Sequence, residues 1–229
     1  MESLLNQVDA SVEVVVVDNY SSDGTLAILQ QLERLDKIEL HLEKCSRGRG
    51  RQVAYERSSG EYIIDQVDLD DIYKPVLMPV IELYHRFFEG NVLLLDGLMV
   101  ATREAIEKVG GWRELQWGED YEFWFRAAKA GRLRYLNYET RKSVKKHGSG
   151  SLIHKLRYKL QRSRDLYRVG LSPWGKAASG AGLKLLNTPF FFAGYVASLF
   201  YPSFKDPSIK NFRRRDYLVT LDPIPALFD

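Results

Sequence analysis

Among 229 residues there is a single cysteine, Cys45. One thiol excludes an internal disulfide framework and a cysteine-based zinc site, and it fits a reducing, cytosolic setting. The amino terminus has no basic stretch followed by an apolar one, so no secretory leader is read there. Histidine is scarce too: His41, His85 and His154 show no ligand spacing and read as structural or exposed. Glutamate disappears after Glu139. Residues 141–229 hold 17 Lys and Arg against 5 Asp, whereas the first 140 hold 16 against 25 acidic residues. The net charge of +3 therefore conceals an acidic front and a basic back, which suggests two jobs. A basic tail suits nucleic acid, an anionic membrane or plain solvation. With 45% hydrophobic and 12% aromatic residues, the chain can bury a core of one large α/β domain plus an appendage.

What is present follows an alternating plan. Val12 to Val17 is a dense β-branched run, apolar on both faces, as a parallel strand covered by helices requires. Ser22 or Asp23 can cap a helix from Thr25 to Leu35, with leucines at helical spacing. Ile38 to Leu42 reads as a strand, and Arg47 to Arg51 (RGRGR) as a basic glycine-rich loop able to approach an anion. Further strands are expected at Glu61–Gln66, Val92–Leu95, Leu98–Ala101 and Arg132–Tyr138. Helices are expected at Gln52–Ser58, Pro75–Phe88, Thr102–Val109 and Glu119–Ala130, the last stopped by Gly131. Strands separated by helices predict an open, mostly parallel α/β sheet flanked by helices, with its ligand crevice beyond the carboxyl ends of the strands.

Two of those ends carry acids. Asp18 closes the valine strand, and Asp68, Asp70 and Asp71 follow the strand at Glu61–Gln66. Three acids within four residues repel one another and are costly to bury unpaired. A divalent cation carrying a phosphate would relieve them, since hard oxygen ligands suit Mg²⁺ or Mn²⁺. A solvated acidic turn capping the next helix is the plainer reading, and convergence with Asp18 weakens it.

Four motifs occur in order: VVVVDNYSSDGT, GRQVAYERSSGEYI, DLDD followed by Pro75, and WGED opening a helix. Together they resemble family-2 glycosyltransferases with the GT-A (Rossmann-like) fold, over roughly residues 3–147. The resemblance implies a role for each matching position. Asp18 would meet the base or ribose of a sugar nucleotide, and Arg51 would face the nucleotide. Arg51 lies in Gly50-Arg51-Gln52, where the family has Ala-Arg-Asn. Asp68 would lie near the ribose and Asp70 would ligate the Mn²⁺ or Mg²⁺ on the donor diphosphate. Asp71 matches a frequent extra acid. Asp120 would be the catalytic base, with Glu119 its first substitute, and a helix N-terminus would keep such a carboxylate rigid and ionised. His147, in KKHGSGS, would approach the metal or the diphosphate, aided by Lys145 and Lys146.

The resemblance also marks an absence. The family opens with an apolar strand and then a helix ending in a motif like Ser3-Leu4-Leu5-Asn6-Gln7, which here appears at once. A form shortened by roughly 30 residues, the size of one strand-plus-helix unit, is therefore expected. Either Val14–Val17 pairs directly with Ile63–Ile64, or a slot separates them.

The division expected is a glycosyltransferase domain over 1–148 and a basic, membrane-associating helical region over 149–229. Ser151 to Val169 reads as a basic helix, and Leu185 to Tyr201 as an apolar, aromatic run with Thr188 and Pro189 as cap and first residue. From Pro189 onward the run falls short of the ~20 residues that span a bilayer. It suits a helix lying in a membrane interface, with a re-entrant or spanning helix and a packing helix as alternatives. The whole points to a metal-dependent, inverting transfer of a hexosyl group from a nucleotide-sugar to a lipid-linked or cell-surface glycan acceptor. It would act at the cytosolic face of a membrane, without nucleic acid. The rival is a non-catalytic nucleic-acid- or membrane-binding protein on a degenerate scaffold.

Overall fold

The computed structural model describes residues 1–144, 152–171 and 181–219, with backbone alone at His154 and 181–187. The elements run α1 (Glu2–Leu5), β1 (Val15–Asp18), α2 (Thr25–Arg34), β2 (Glu39–Leu42), α3 (Arg47–Arg57), β3 (Tyr62–Asp65), β4 (Ile72–Tyr73) and α4 (Leu77–Phe87). There follow β5 (Val92–Asp96), β6 (Leu98–Thr102), α5 (Arg103–Val109), α6 (Glu119–Lys129), β7 (Leu133–Glu139), β8 (Arg141–Lys142), α7 (Leu152–Arg168) and α8 (Ala181–Ser198).

The main sheet is ordered β3-β6-β5-β7. β5 and β7 are parallel, while β6 runs antiparallel to both β3 and β5. Continuous apolar runs serve both faces of this sheet, because each face is covered. Val92 and Leu94 of β5 and Met99 and Ala101 of β6 join a cluster with Ile106 of α5 and Phe123 of α6. Their neighbours Leu93, Leu95, Leu98 and Val100 point the other way, to Leu4 and to Val80, Leu83 and Tyr84 of α4. Glycines punctuate the elements at left-handed turns: Gly97 (φ 106°) between β5 and β6, and Gly110 (φ 88°) after α5.

The expected α/β sandwich is thus present, with three local differences. RGRGR forms the first turns of α3, not a loop: Ser46 caps the helix by accepting the Arg49 N–H, and Gly48 donates its own N–H to the Leu115 carbonyl at 2.9 Å. A Cβ on Gly48 would lie 1.9 Å from the Arg113 carbonyl oxygen, so glycine serves close packing there. Gly24 (φ 92°), rather than Ser22 or Asp23, is the N-cap of α2, although Asp23 accepts the Thr25 N–H at 3.1 Å. In α8 the helix runs through Pro189 instead of starting at it. No helix among the described residues is long and apolar enough to cross a membrane.

The carboxyl-terminal region packs onto the domain it follows. Ile209 and Phe212 are buried in the same cluster as Phe123, and the Val219 N–H donates to the Tyr135 carbonyl at 2.8 Å. α7 and α8 cross closely at Gly194, where a Cβ would meet Ser163 Cβ at 2.5 Å.

β1 and β2 form a separate parallel pair with a small core of Val16, Leu29 and Ile38. The direct ladder that would have closed the sheet, Val14–Val17 against Ile63–Ile64, is not formed. A cavity of about 1370 Å³ is lined by both segments.

Gly48→Ala is expected to destabilise the fold by about 1–3 kcal/mol, because the clashing atom is main chain and the 113–119 loop must move with it. Urea melts check this; a change within ~0.5 kcal/mol would show that the loop yields freely.

Candidate active site

The site forms where β3, α3 and α6 converge. Arg51, one turn into α3, points across the end of β3. Its Nη1 donates to Asp65 Oδ1 at 2.7 Å, its Nε lies 3.2 Å from Asp120 Oδ1, and its Nη2 donates to Asp120 Oδ2 at 3.3 Å. Glu119 Oε1 is 3.8 Å from the same guanidinium. Burial disfavours the charged form of Arg51, but Asp65, Asp120 and Glu119 outweigh it and raise the pKa, so the guanidinium is permanently charged.

Asp120 sits in the first turn of α6, after Gly118 in the left-handed conformation (φ 75°). Burial pushes its carboxyl up to about 7; Arg51 opposes this, while Glu119, Asp65 and Asp68 add to it. Glu119 is raised in the same direction, chiefly by burial, with Arg51 and Arg47 opposing. The resulting site holds a cluster of acids around one cation, with Asp120 on the border between protonated and ionised near neutrality.

A second arginine organises the aspartate run. Arg141 of β8 places Nη1 2.6 Å from Asp68 Oδ2 and 2.5 Å from Asp71 Oδ2. Asp71 is buried, whereas Asp70 is exposed. Gly97 makes room for the arm, since a Cβ there would lie 2.6 Å from Arg141 Cγ. The Asp68 N–H donates to Tyr73 Oη at 2.8 Å, which fixes the turn.

The loop that presents Asp120 is held from two sides. From α3, Gln52 Oε1 accepts the Trp112 N–H at 2.8 Å, and Gly48 binds Leu115 as described. From α7, fully buried Asp165 accepts the Gln116 and Trp117 N–H groups on Oδ2, at 2.8 and 3.1 Å. Arg164 and Arg168 neutralise it at 2.8 and 3.2 Å. Tyr158 accepts from Trp117 Nε1 at 3.1 Å, and Arg162 lies over the Trp117 ring at 4.7 Å.

Arg51, Asp68, Glu119 and Asp120 therefore line one cavity, with Asp65, Asp96, Arg141 and Arg214. Asp18 lies at the end of β1 as expected, but it is buried and engaged locally. Its Oδ1 accepts the Ser21 N–H at 2.8 Å and its Oδ2 the Ser21 hydroxyl at 2.6 Å. Asp18 and Asp70 are not among the lining residues. His147, Lys145 and Lys146 lie outside the described residues. Asp65, Arg141 and Asp165 escaped sequence reading: Asp65 looked like strand filler, and the other two act across 73 and 48 or more residues with no local signal.

The acids present are hard-oxygen donors of the kind that suit Mg²⁺ or Mn²⁺. Among the described residues, buried Oδ2 of Asp65 and Oδ1 of Asp71 have no hydrogen-bond donor, while Asp71 Oδ2 meets Arg141 in the ion pair. No group of three potential ligands converges among the described residues. The donor chemistry thus fits a cation whose remaining ligands come from a bound diphosphate, and not a closed protein cage.

Comparison with known proteins bears on the fold and the family. No curated protein sequence matches the chain. Among solved structures, it is similar to the mannosyltransferase PcManGT from Pyrobaculum calidifontis in complex with GDP-Man and Mn²⁺ (TM-score 0.51, 19% identity, 81% of this chain and 64% of that one). It is also similar to TarS of S. aureus, residues 1–349, in complex with UDP (TM-score 0.51, 18% identity, 82% and 64%). A longer TarS structure matches with a TM-score of 0.52 and 16% identity, over 86% of this chain and 50% of that one. The chain thus spans about half to just under two thirds of those proteins. They share its fold, the GT-A arrangement. The family model "Glycosyl transferase family 2" matches residues 1–145. With more than half of its length matched, the chain belongs to glycosyl transferase family 2.

Proposed function

We propose that the protein is a metal-dependent, inverting hexosyltransferase that uses a nucleotide-sugar donor and a hydroxyl acceptor on a lipid-linked or cell-surface glycan. The observation that carries this reading is Asp120: a carboxylate at a helix N-terminus, titrating at about 7, on the wall of a large cleft beside Arg51. A general base works best when its pKa lies near the working pH. The solved neighbours holding GDP-Man with Mn²⁺ and UDP support a nucleotide-linked donor.

In this reading the acceptor hydroxyl lies against Asp120, which takes its proton as the oxygen attacks the anomeric carbon. The new C–O bond forms on one face while the bond to the diphosphate breaks on the other, which inverts the centre. Arg51 keeps Asp120 oriented and favours its ionised form. Arg141 fixes Asp68 towards the ribose. Asp70, with Asp68 and His147, would hold Mn²⁺ or Mg²⁺, which when bound neutralises charge gathering on the leaving diphosphate. Asp18 shapes the turn beside the nucleotide base through Ser21.

The C-terminal region, from about residue 149, completes the reading as a membrane-facing part. α8 exposes Phe192 and Tyr195, and Phe200 just beyond its end is 81% exposed. α7 exposes Leu152 and Ile153 beside Lys155, Arg157 and Lys159. Aromatic and basic residues together suit an anionic lipid surface at the cytosolic face.

Asp120→Asn should cost about 10²-fold or more in transfer rate and remove the rise of rate with pH centred near 7. Its effect on stability has the opposite sign. A carboxyl whose folded pKa lies above its ordinary 3.8 contributes stability at low pH that is lost as pH climbs towards 7. At pH 8 the Asn variant should therefore melt higher while turning over more slowly. Normal turnover with an unaltered pH profile would move the base elsewhere.

Asp165→Asn should lower kcat by about tenfold or more with donor KM unchanged, because it loosens the loop behind Asp120 rather than the donor contacts. Lower melting temperature with unchanged kcat would confine Asp165 to stability.

Membrane attachment is tested on the full chain. It should sediment with vesicles containing anionic lipid, and Phe192→Glu with Phe200→Glu should release it. Equal sedimentation of both proteins would refute a membrane role for α8.

A further inference from the structure

Arg214 comes from outside the family-matched residues 1–145, yet it lines the cleft that holds Asp120. It opens a 3₁₀ turn at Arg214–Tyr217 that is fixed to the domain on both sides. Before the turn Phe212 is buried in the core, and after it the Val219 N–H donates to the Tyr135 carbonyl at 2.8 Å. The guanidinium so delivered lies over the Tyr135 ring, 4.2 Å from its centroid, and 5.9 Å from the centroid of Trp124. Its Nη2 is 3.1 Å from Asp96 Oδ1 and donates to Tyr135 Oη at 3.2 Å. Tyr135 Oη stands 3.3 Å from both Asp96 oxygens. Three polar groups thus hold one another in place at the end of β5.

This cluster is too open to be a structural bridge. The Arg214 and Asp96 side chains are 37% and 39% exposed, and both line the cavity. An ion pair so accessible to water contributes little to stability. Trp124 lines the same cavity, and among the described residues its indole N–H is buried without an acceptor. Asp120 and Trp124 stand four residues apart on α6, so they share one face of the helix, about 6 Å apart along its axis. A hydroxyl held at Asp120 leaves the neighbouring turn, with Trp124 and Arg214, for the rest of the molecule that carries it.

We propose that Arg214, Asp96 and Trp124 form the subsite for the acceptor's sugar ring, and that this ring is a neutral hexopyranose. The assignment rests on the transferase reading above and names its acceptor at the point of contact. Each sugar hydroxyl both donates and accepts. Asp96 offers acceptors, while Arg214 and the Trp124 indole offer donors, within one patch. The indole body suits the apolar C–H face of the ring. A phosphate fits poorly: Asp96 already meets the charge of Arg214, and Asp96, Glu119 and Asp120 repel an anion. In this arrangement a segment beyond the family match selects the acceptor.

The test is read on the full chain, labelled at the tryptophan indole nitrogens, with the Trp124 resonance assigned through Trp124→Phe. Methyl glucopyranoside, galactopyranoside and mannopyranoside are titrated at millimolar concentration, with glycerol 1-phosphate as the anionic probe, each with and without UDP or GDP and Mn²⁺. The expected result is a saturable shift of Trp124 with at least one hexoside and none with glycerol 1-phosphate. Trp117, tied to Tyr158, should stay still. Arg214→Gln and Asp96→Asn should each weaken that hexoside by about tenfold or more, as the loss of one charge-assisted hydrogen bond does. If Arg214→Gln melts well below the parent, Asp96→Asn, which keeps the shape of the side chain, decides. No saturable Trp124 shift with any hexoside, or a shift that the variants leave intact, would overturn the proposal. Glycerol 1-phosphate binding that Arg214→Gln abolishes would assign the patch to an anion and overturn it likewise. Nucleotide binding, followed in the same samples, tests the transferase reading separately: a hexoside shift without it would support the sugar site while sinking that reading.

Discussion

Arg51 is the charge on which the site depends. Three carboxylates, Asp65, Glu119 and Asp120, approach one another from β3 and α6, and their repulsion would drive them apart or protonate them without a cation in their midst. α3 delivers that cation one turn after the Ser46 cap, so the helix register decides which side chain reaches the acids. Arg51 thereby links three elements that no main-chain ladder joins. Removing Arg51 would leave three buried carboxylates without their cation, which costs far more than the network contributes over an apolar replacement. The network is best read as a device for positioning Asp120, and only secondarily as a source of stability.

Rigidity around that network comes from a second layer. The loop from Gly110 to Gly118 is bound by α3 through Gly48 and Gln52, and by α7 through Asp165 and Tyr158. The region beyond the family match thus braces the site: α7 holds the loop that leads to Asp120, and Ile209 and Phe212 lie in the same core cluster as Phe123 of α6. The stiffness of the loop contrasts with the divided sheet. One half of the cleft stands on a strand order with continuous hydrogen bonding, the other on a two-stranded unit with a three-residue core.

The elements visible in the sequence were those whose signals are local. Val92–Asp96 and Leu98–Thr102 are apolar on both faces because both faces are covered, and composition alone reveals that. Gly118 and Gly131 bracket α6 as expected, and Thr102 caps α5 through the Ala105 N–H. The aspartate clusters stood out by charge density. RGRGR misled because glycine propensity favours a loop, while the actual determinant is the tight approach of Gly48 to Arg113. Pro189 misled because proline favours a first helical turn, whereas α8 runs through it. Arg141 and Asp165 were invisible because their partners are distant in the chain. Whether the valine strand and the strand after Gly60 would pair could not be decided from either segment alone, since both have the composition of central strands.

The central claim is that this cleft holds a nucleotide diphosphate through a divalent cation bound at Asp68 and at Asp70, two residues further along the same turn. Its most direct test is calorimetric titration of the full chain with UDP-, GDP- and dTDP-sugars, with and without Mn²⁺. The account predicts saturable binding of one nucleotide class that requires Mn²⁺ and is lost in Asp70→Ala. Binding of every nucleotide with equal strength, indifferent to Mn²⁺ and unchanged in Asp70→Ala, would contradict it.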